Sequence, residues 1–337
     1  MNRRRMFMTL IAAVVWPLAA TAQDAMKIGA PISMSPPGSV TLADIEVAHR
    51  YNIPLMNTNA WSDAVRLKGY PQVFNRANYN SRVAEAMGEV IAKMKVKNVV
   101  AFAENTDYGT GQAEAMKKTL ARVAPDVKFT SRVLDRAAKD FTPAVLPLKS
   151  EKPDMVVTIM IPPASYLLMN QLYENGIAPS RQTWLYDGAG VADYPEFWDN
   201  VKDAGVGLLS FGLYHPQMTL SPLGKEVRTL YMEQHKREPN RLIFQAADSL
   251  FLVADAITRA KSTEADPVIK ALRETRFEGS QGTVTFEKEQ GLYFQTWKNI
   301  PYITYQLTAK GQQLPDTLLI QGPGIELSVD KLMRPAR

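Results

Sequence analysis

Ile53–Asp63, IPLMNTNAWSD, is a short apolar strand that ends in small polar residues. A second strand follows at Gly69–Asn75 (GYPQVFN), and then an amphipathic helix from about Ser81. Its apolar positions Val83, Met87, Val90, Ile91 and Met94 recur at helical period on one face. A third strand, Asn98–Glu104 (NVVAFAE), breaks at Asn105–Gln112 (NTDYGTGQ) before another helix that runs to Val123. In open α/β sheets, ligands collect at the carboxyl ends of strands, where loops lead into helix N-termini. Asn57–Ser62 and Asn105–Gly111 both occupy such ends. Tyr108, beside Gly109 and Gly111, presents a ring where side-chain bulk is otherwise cleared away.

Working outward, strands and helices alternate. Strands are expected at Lys128–Leu134, Met155–Ile161, Trp184–Asp187 and Val206–Phe211, and helices at Thr142–Ser150 and up to Gly176. Pro147 should kink or shorten the first of these helices. Regular alternation implies parallel sheets with helices on both faces. From Ser221 onward come helices over Pro222–Lys236 and Leu242–Lys261, a short one from Pro267, and strands at Thr283–Glu287 and Tyr302–Leu307. The fold class expected is α/β, with two domains suggested by the length.

Residues 1–22 read as an export signal: Arg3, Arg4 and Arg5, an apolar run from Met6 to Trp16, and the small residues Ala20-Thr21-Ala22 as cleavage site. The run is shorter than the about 20 residues that span a bilayer. Arg4-Arg5-Met6-Phe7 leaves twin-arginine export open beside the general route. With that segment removed, the formal charge falls from +5 to +2, which leaves no basic patch calling for nucleic acid or an anionic membrane. The chain has no cysteine, so an exported form relies on apolar burial alone. Localisation in the periplasm, after cleavage following Ala22, is expected.

Enzyme readings find no constellation. His49, His215 and His235 are widely separated and form no HExxH, so neither a metal site nor a cofactor is expected. Gly207–Gly212 has the wrong spacing for a nucleophile elbow, and Gly109-Thr-Gly111 lacks the third glycine of a dinucleotide fingerprint. No acid–base–nucleophile set assembles.

Four stretches in order, PLMNTNAWSD, KGYPQVFN, AENTDYGTGQ and KDFTPAVLPLKSEKPDMVV, resemble the leucine/isoleucine/valine-binding family of periplasmic solute receptors, type I binding proteins that feed ABC importers. The resemblance runs from about Lys27 to about Thr308. It implies two lobes, each a mostly parallel sheet flanked by helices, joined by a multi-strand hinge, with a first lobe of residues 23–95 plus 238–300 and a second of 96–237 plus 301–337. It also implies that roughly 60 residues, two strand–helix units at ~30 residues each, are absent from the first lobe. Lys27–Ile32 then stands for either the family's first strand or its third, leading into a helix over Thr41–Tyr51.

By the same resemblance, Ser39 matches the loop that grips a ligand carboxylate, although a plain N-cap explains it equally well. Asn59, Ala60 and Trp61 match the next ligand-contacting turn, and Tyr108 matches the cleft tyrosine of the second lobe. The family's ammonium-binding acid falls at Gly188, with Asp187 one residue early. The partners implied are a small molecule (amino acid, amide or aromatic acid) and an inner-membrane ABC permease, with the receptor a monomer. The competing readings are a ligand-sensing partner of a receptor or permease, and a shortened member that no longer binds.

Overall fold

The computed structural model describes residues 42–335. Ser39, Lys27–Ile32 and the export segment lie outside the described residues. Eleven strands are described: β1 (Leu55–Asn57), β2 (Val73–Asn75), β3 (Asn98–Glu104), β4 (Lys128–Leu134), β5 (Met155–Ile159), β6 (Trp184–Asp187), β7 (Leu209–Gly212), β8 (Arg276–Gly279), β9 (Gly282–Thr285), β10 (Ile303–Gln306) and β11 (Leu318–Gln321). Between them lie α1 (Leu42–Arg50), α2 (Asp63–Leu67), α3 (Asn80–Met94), α4 (Asp107–Val123), α5 (Thr142–Val145), α6 (Leu148–Glu151), α7 (Ala164–Glu174), α8 (Phe197–Val201), α9 (Pro222–His235), α10 (Arg241–Ala260) and α11 (Ala265–Arg273).

The fold is α/β in two lobes. The larger sheet has the order β11-β10-β7-β6-β5-β3-β4. Its β3, β4, β5, β6 and β7 run parallel, while β10 is antiparallel to both β7 and β11. The central strands β5 and β6 are buried along their whole length, as continuous apolar runs between two helical layers must be. At the edge, β4 keeps Lys128, Ser131 and Val133 exposed.

The smaller sheet is the parallel pair β1–β2, in register from Leu55↔Val73 to Asn57↔Asn75. Asn75 also bridges to Thr296, which ties the late chain to it. The hairpin β8–β9 is antiparallel, and the sequence pattern showed only its second strand. The chain crosses from β2 to the larger sheet at β3, leaves that sheet after β7 for α9, α10 and the β8–β9 hairpin, and returns to it at β10.

Pro147 does break its helix: α5 stops at Val145 and α6 restarts at Leu148. α3 buries Val83, Met87, Val90 and Ile91 in the core shared by β3 and α4, so packing joins residues 80–94 to the larger sheet. His49 is exposed and stacks on Tyr70 with centroids 3.9 Å apart.

The first crossing is pinned by a buried charge. Arg76 Nε and Nη2 donate to Asp248 Oδ2 on α10 (3.1 and 2.8 Å), and both side chains are 0% exposed. Asp248 Oδ1 accepts from the Ser280 amide at 2.7 Å, and the Arg76 guanidinium lies 4.4 Å from the Trp297 ring. Such a pair is tolerated in a core because further hydrogen bonds and a π face take the place of water.

Candidate functional site: the strand ends of the two sheets

The loop after β1 is built by Asn57. Its Oδ1 accepts from the Ala60 amide (2.7 Å), and its Nδ2 donates to the Ala60 carbonyl (2.9 Å) and to Asn75 Oδ1 (2.9 Å). This closes a tight polar turn. From α10, Gln245 Nε2 donates to the Thr58 carbonyl at 3.0 Å, and Ser249 Oγ meets Thr58 Oγ1 at 3.0 Å. The turn is therefore rigid where it presents Asn59 and Trp61. Asn59 is exposed, and its Oδ1 accepts from Trp61 Nε1 at 2.9 Å. Ala60 is buried, and its amide and carbonyl are taken up within the turn.

Across from it, Tyr108 sits in the first turn of α4. Thr106 caps that helix by accepting from the Gly109 amide at 3.2 Å. A Cβ at Gly109 would stand 2.3 Å from the Glu104 carbonyl, so only glycine lets α4 start this close to the end of β3. Tyr108 Oη donates to the Gly188 carbonyl (3.3 Å), and Gln112 Nε2, one turn on along the same face, donates to the same oxygen (2.6 Å). Burial pushes the Tyr108 phenol well above its ordinary value, with the Glu104 and Asp187 charges adding to the effect, so it stays a neutral donor.

The two strand ends meet. Trp61 and Tyr108 rings pack edge to face with centroids 5.8 Å apart and an interplanar angle of 78°. Trp61 is 6% exposed and also leans on Phe211 of β7 at 5.6 Å, and Phe211 in turn stacks on Tyr302 at 5.0 Å.

Asp187 ends β6 with its side chain fully buried. Its oxygens accept from the Ala189 amide (3.0 Å), the Ala192 amide (3.0 Å) and Ser210 Oγ (2.8 Å). Burial raises its pKa despite these three donors. The carboxylate therefore organises the 188–192 loop from beneath. At Gly188 an added Cβ would lie 3.1 Å from the Thr158 carbonyl, which leaves little room for an acidic side chain there.

Sequence reasoning missed Arg241. This first residue of α10 is 1% exposed and reaches the loop after β6. Its Nη1 donates to the Gly190 carbonyl and pairs with Asp193, and its Nη2 donates to the Ala189 carbonyl at 3.3 Å. The guanidinium lies 5.4 Å from the Trp61 ring and 5.2 Å from that of Tyr194. Burial opposes its charge, but Asp193 prevails and holds it protonated. Pro239 and Asn240 mark a helix start at this point. Nothing local announces the pairing, because Asp193 is 48 positions away. Gln112 was legible as a fourth-residue neighbour of Tyr108 on one helix face.

Among the described residues, no helix is long and apolar enough to cross a membrane, and no group of three or more His, Cys, Asp or Glu residues could hold a metal ion.

Two facing lobes with loops at their strand ends converging on one aromatic contact define a bilobed binding protein. The chain belongs to the periplasmic binding protein family, whose model matches residues 19–300. A curated relative, the leucine-, isoleucine-, valine-, threonine- and alanine-binding protein of Pseudomonas aeruginosa, is 21% identical over 253 residues. That alignment covers 75% of this chain but only 64% of the relative, so the chain spans under two thirds of its length. Among solved structures, a leucine-binding protein from Thermotoga maritima has a TM-score of 0.72 at 20% identity, over 85% of this chain and 76% of that one. An ABC-transporter solute-binding protein from R. palustris, in complex with benzoate, has a TM-score of 0.68 at 16% identity, over 88% and 78%.

Proposed function

We propose that this protein is a periplasmic solute receptor that holds a small carboxylate- or amide-bearing ligand between its lobes and delivers it to an inner-membrane ABC permease. The observation that carries this reading is the meeting of Trp61 and Tyr108. Each ring stands at the carboxyl end of a strand in a different sheet, and the two are 5.8 Å apart. A guest inserted there would gain ring surface from both sides, a donor in the Asn59 side-chain amide and an acceptor in the Tyr108 oxygen, whose hydrogen goes to the Gly188 carbonyl. A guest that touches both lobes favours the closed state over the open one. The three chain crossings supply the hinge. Ser39, outside the described residues, is a carboxylate-binding candidate by resemblance alone. Ala60 and Asp187 act in this scheme by holding the loops that face the ligand, since their own polar groups are committed. The named relatives bind branched-chain amino acids or benzoate, which fits a ligand with a carboxylate and an apolar body.

The test is a thermal-shift screen of the chain with leucine, isoleucine, valine, their amides and benzoate. Stabilisation follows RT ln(1 + [L]/Kd). Tyr108→Ala should weaken the best ligand by about tenfold or more, and it should also lower the unfolding temperature of the empty protein because the ring is packed on Trp61 and bonded to the Gly188 carbonyl. An affinity unchanged in Tyr108→Ala would sink the cleft assignment, and no shift from any compound would favour a member that no longer binds.

A further inference from the structure

Trp61 and Tyr108 are joined at their backbones by a single residue. Asn80 opens α3, at the end of the segment that leads out of β2, and is 0% exposed. Its backbone amide donates to the Trp61 carbonyl at 2.9 Å, and its side-chain Nδ2 donates to the Tyr108 carbonyl at 3.1 Å. Its Oδ1 has no partner, so the link to Tyr108 alone holds the side chain. A buried amide with half of its hydrogen-bonding capacity unmet carries a cost that an apolar side chain would avoid.

The neighbours of Asn80 are fixed on both sides. Arg66, buried on α2, brackets Trp61: its Nη1 donates to the carbonyls of Ala60 and Ser62 (3.3 Å each), and its Nη2 to those of Ala77 (2.9 Å) and Asn78 (2.8 Å). The Asp63 carboxylate accepts from the Ser81 amide (3.2 Å) and the Ser81 hydroxyl. The turn that carries Trp61 is thus stitched to residues 77–81 along its length. On the α4 side, a Cβ at Gly111 would stand 3.0 Å from Asn80 Nδ2. Beyond its chain neighbours and its own helix backbone, nothing else among the described residues would come within 4 Å of that Cβ. The second glycine of NTDYGTGQ therefore makes room for Asn80, as the first makes room for the end of β3.

We propose that Asn80 is the positioning residue of the cleft, setting how far apart the Trp61 and Tyr108 rings stand and hence the thickness of guest they hold. This role presupposes that the cleft is the ligand site. Asn80 acts through two main-chain carbonyls and not through the guest. One link reaches the turn after β1 of the smaller sheet, and the other reaches the first turn of α4 against the larger sheet. Walls held by bonded supports bind a guest more tightly than walls that drift, because less ordering is left to be done on binding.

The experiment labels the full chain with 5-fluorotryptophan, assigns Trp61 by its loss in Trp61→Phe, and compares Asn80→Ala, Gly111→Ala and the double variant. Leu172→Ala, in the core on α7, serves as a control that loses stability away from the cleft. In the empty protein the Trp61 fluorine resonance should move in Asn80→Ala and Gly111→Ala and stay in place in Leu172→Ala. Benzoate and leucine are titrated by calorimetry, and whichever binds should weaken about fivefold or more in Asn80→Ala. Gly111→Ala should also weaken it while the unfolding temperature holds or rises, since alanine suits a helix interior better than glycine. A merely structural role would move affinity and stability together. In the Asn80→Ala background, Gly111→Ala should have no further effect on affinity. The proposal is overturned if the Trp61 resonance is unmoved in Asn80→Ala, a measurement that needs no ligand, or if the two substitutions weaken binding additively. Normal binding in Asn80→Ala with lost binding in Tyr108→Ala would also overturn it and leave the cleft reading intact, whereas normal binding in Tyr108→Ala would sink the cleft reading itself.

Discussion

Replacing Arg241 by methionine keeps the length of the side chain and removes its charge. In the structure the guanidinium joins α10 to the loop after β6, with side-chain exposures of 1% for Arg241 and 3% for Asp193. Deleting the cation strands a buried carboxylate and frees the carbonyls of Ala189 and Gly190. Removing one partner of a buried pair typically costs about 3–5 kcal/mol, and the lost contact with the Trp61 and Tyr194 rings adds to this. Asp193→Asn is milder, at about 1–3 kcal/mol, because the cation keeps its carbonyl acceptors. The double variant should be less damaged than the sum of the two by roughly 1–3 kcal/mol, since neither buried charge is then left alone. Urea unfolding of the four proteins measures the cycle. Small-angle scattering of the empty protein should report a larger radius for Arg241→Met, because the strut between the lobes is gone. A cost below about 1 kcal/mol, or strict additivity, would mean that this pair is solvated and carries none of the work assigned to it.

Three further outcomes follow from named contacts. Asp248→Ala leaves Arg76 buried with only Gln281 Oε1 (3.0 Å) and the Trp297 ring, and should destabilise by about 3–5 kcal/mol in urea unfolding. Gly109→Ala forces a Cβ onto the Glu104 carbonyl and should shift the first turn of α4, weakening ligand binding more than it lowers the unfolding temperature. His215 is buried, with Nε2 beside Thr317 Oγ1 (3.3 Å), and burial lowers its pKa below the ordinary 6.5. The unfolded chain therefore takes up the proton first, and stability falls as pH drops through about 6.5 toward the folded value. Melting curves should show that His215→Gln loses less stability than the unaltered chain between about pH 7.5 and pH 5.

Much of the architecture was legible in local pattern. β4 and β6 begin and end at the expected residues, Pro147 splits its helix, and the helix after NTDYGTGQ ends at Val123. Each is a short-range effect: alternation, helical period, or a ring that removes a donor. The strand β8 and the edge strand β11 were not legible. Their pairing energy comes from partners met only in space, and Arg276–Gly279 carries two charged side chains, Arg276 and Glu278, that mask the strand pattern.

The sequence by itself determined an α/β chain with loops at two strand ends and singled out Tyr108 beside its glycines, because turn chemistry and periodicity act over a few neighbours, while Trp61 was named by the family resemblance alone. Tertiary structure alone decided what those loops face. It turned Asp187 inward onto two amides and a serine, because a single strand position sets which side a residue points to. It also brought Arg241 to Asp193, 48 residues apart, since a buried charge is compensated by whatever the fold delivers to it and not by what stands beside it in the chain.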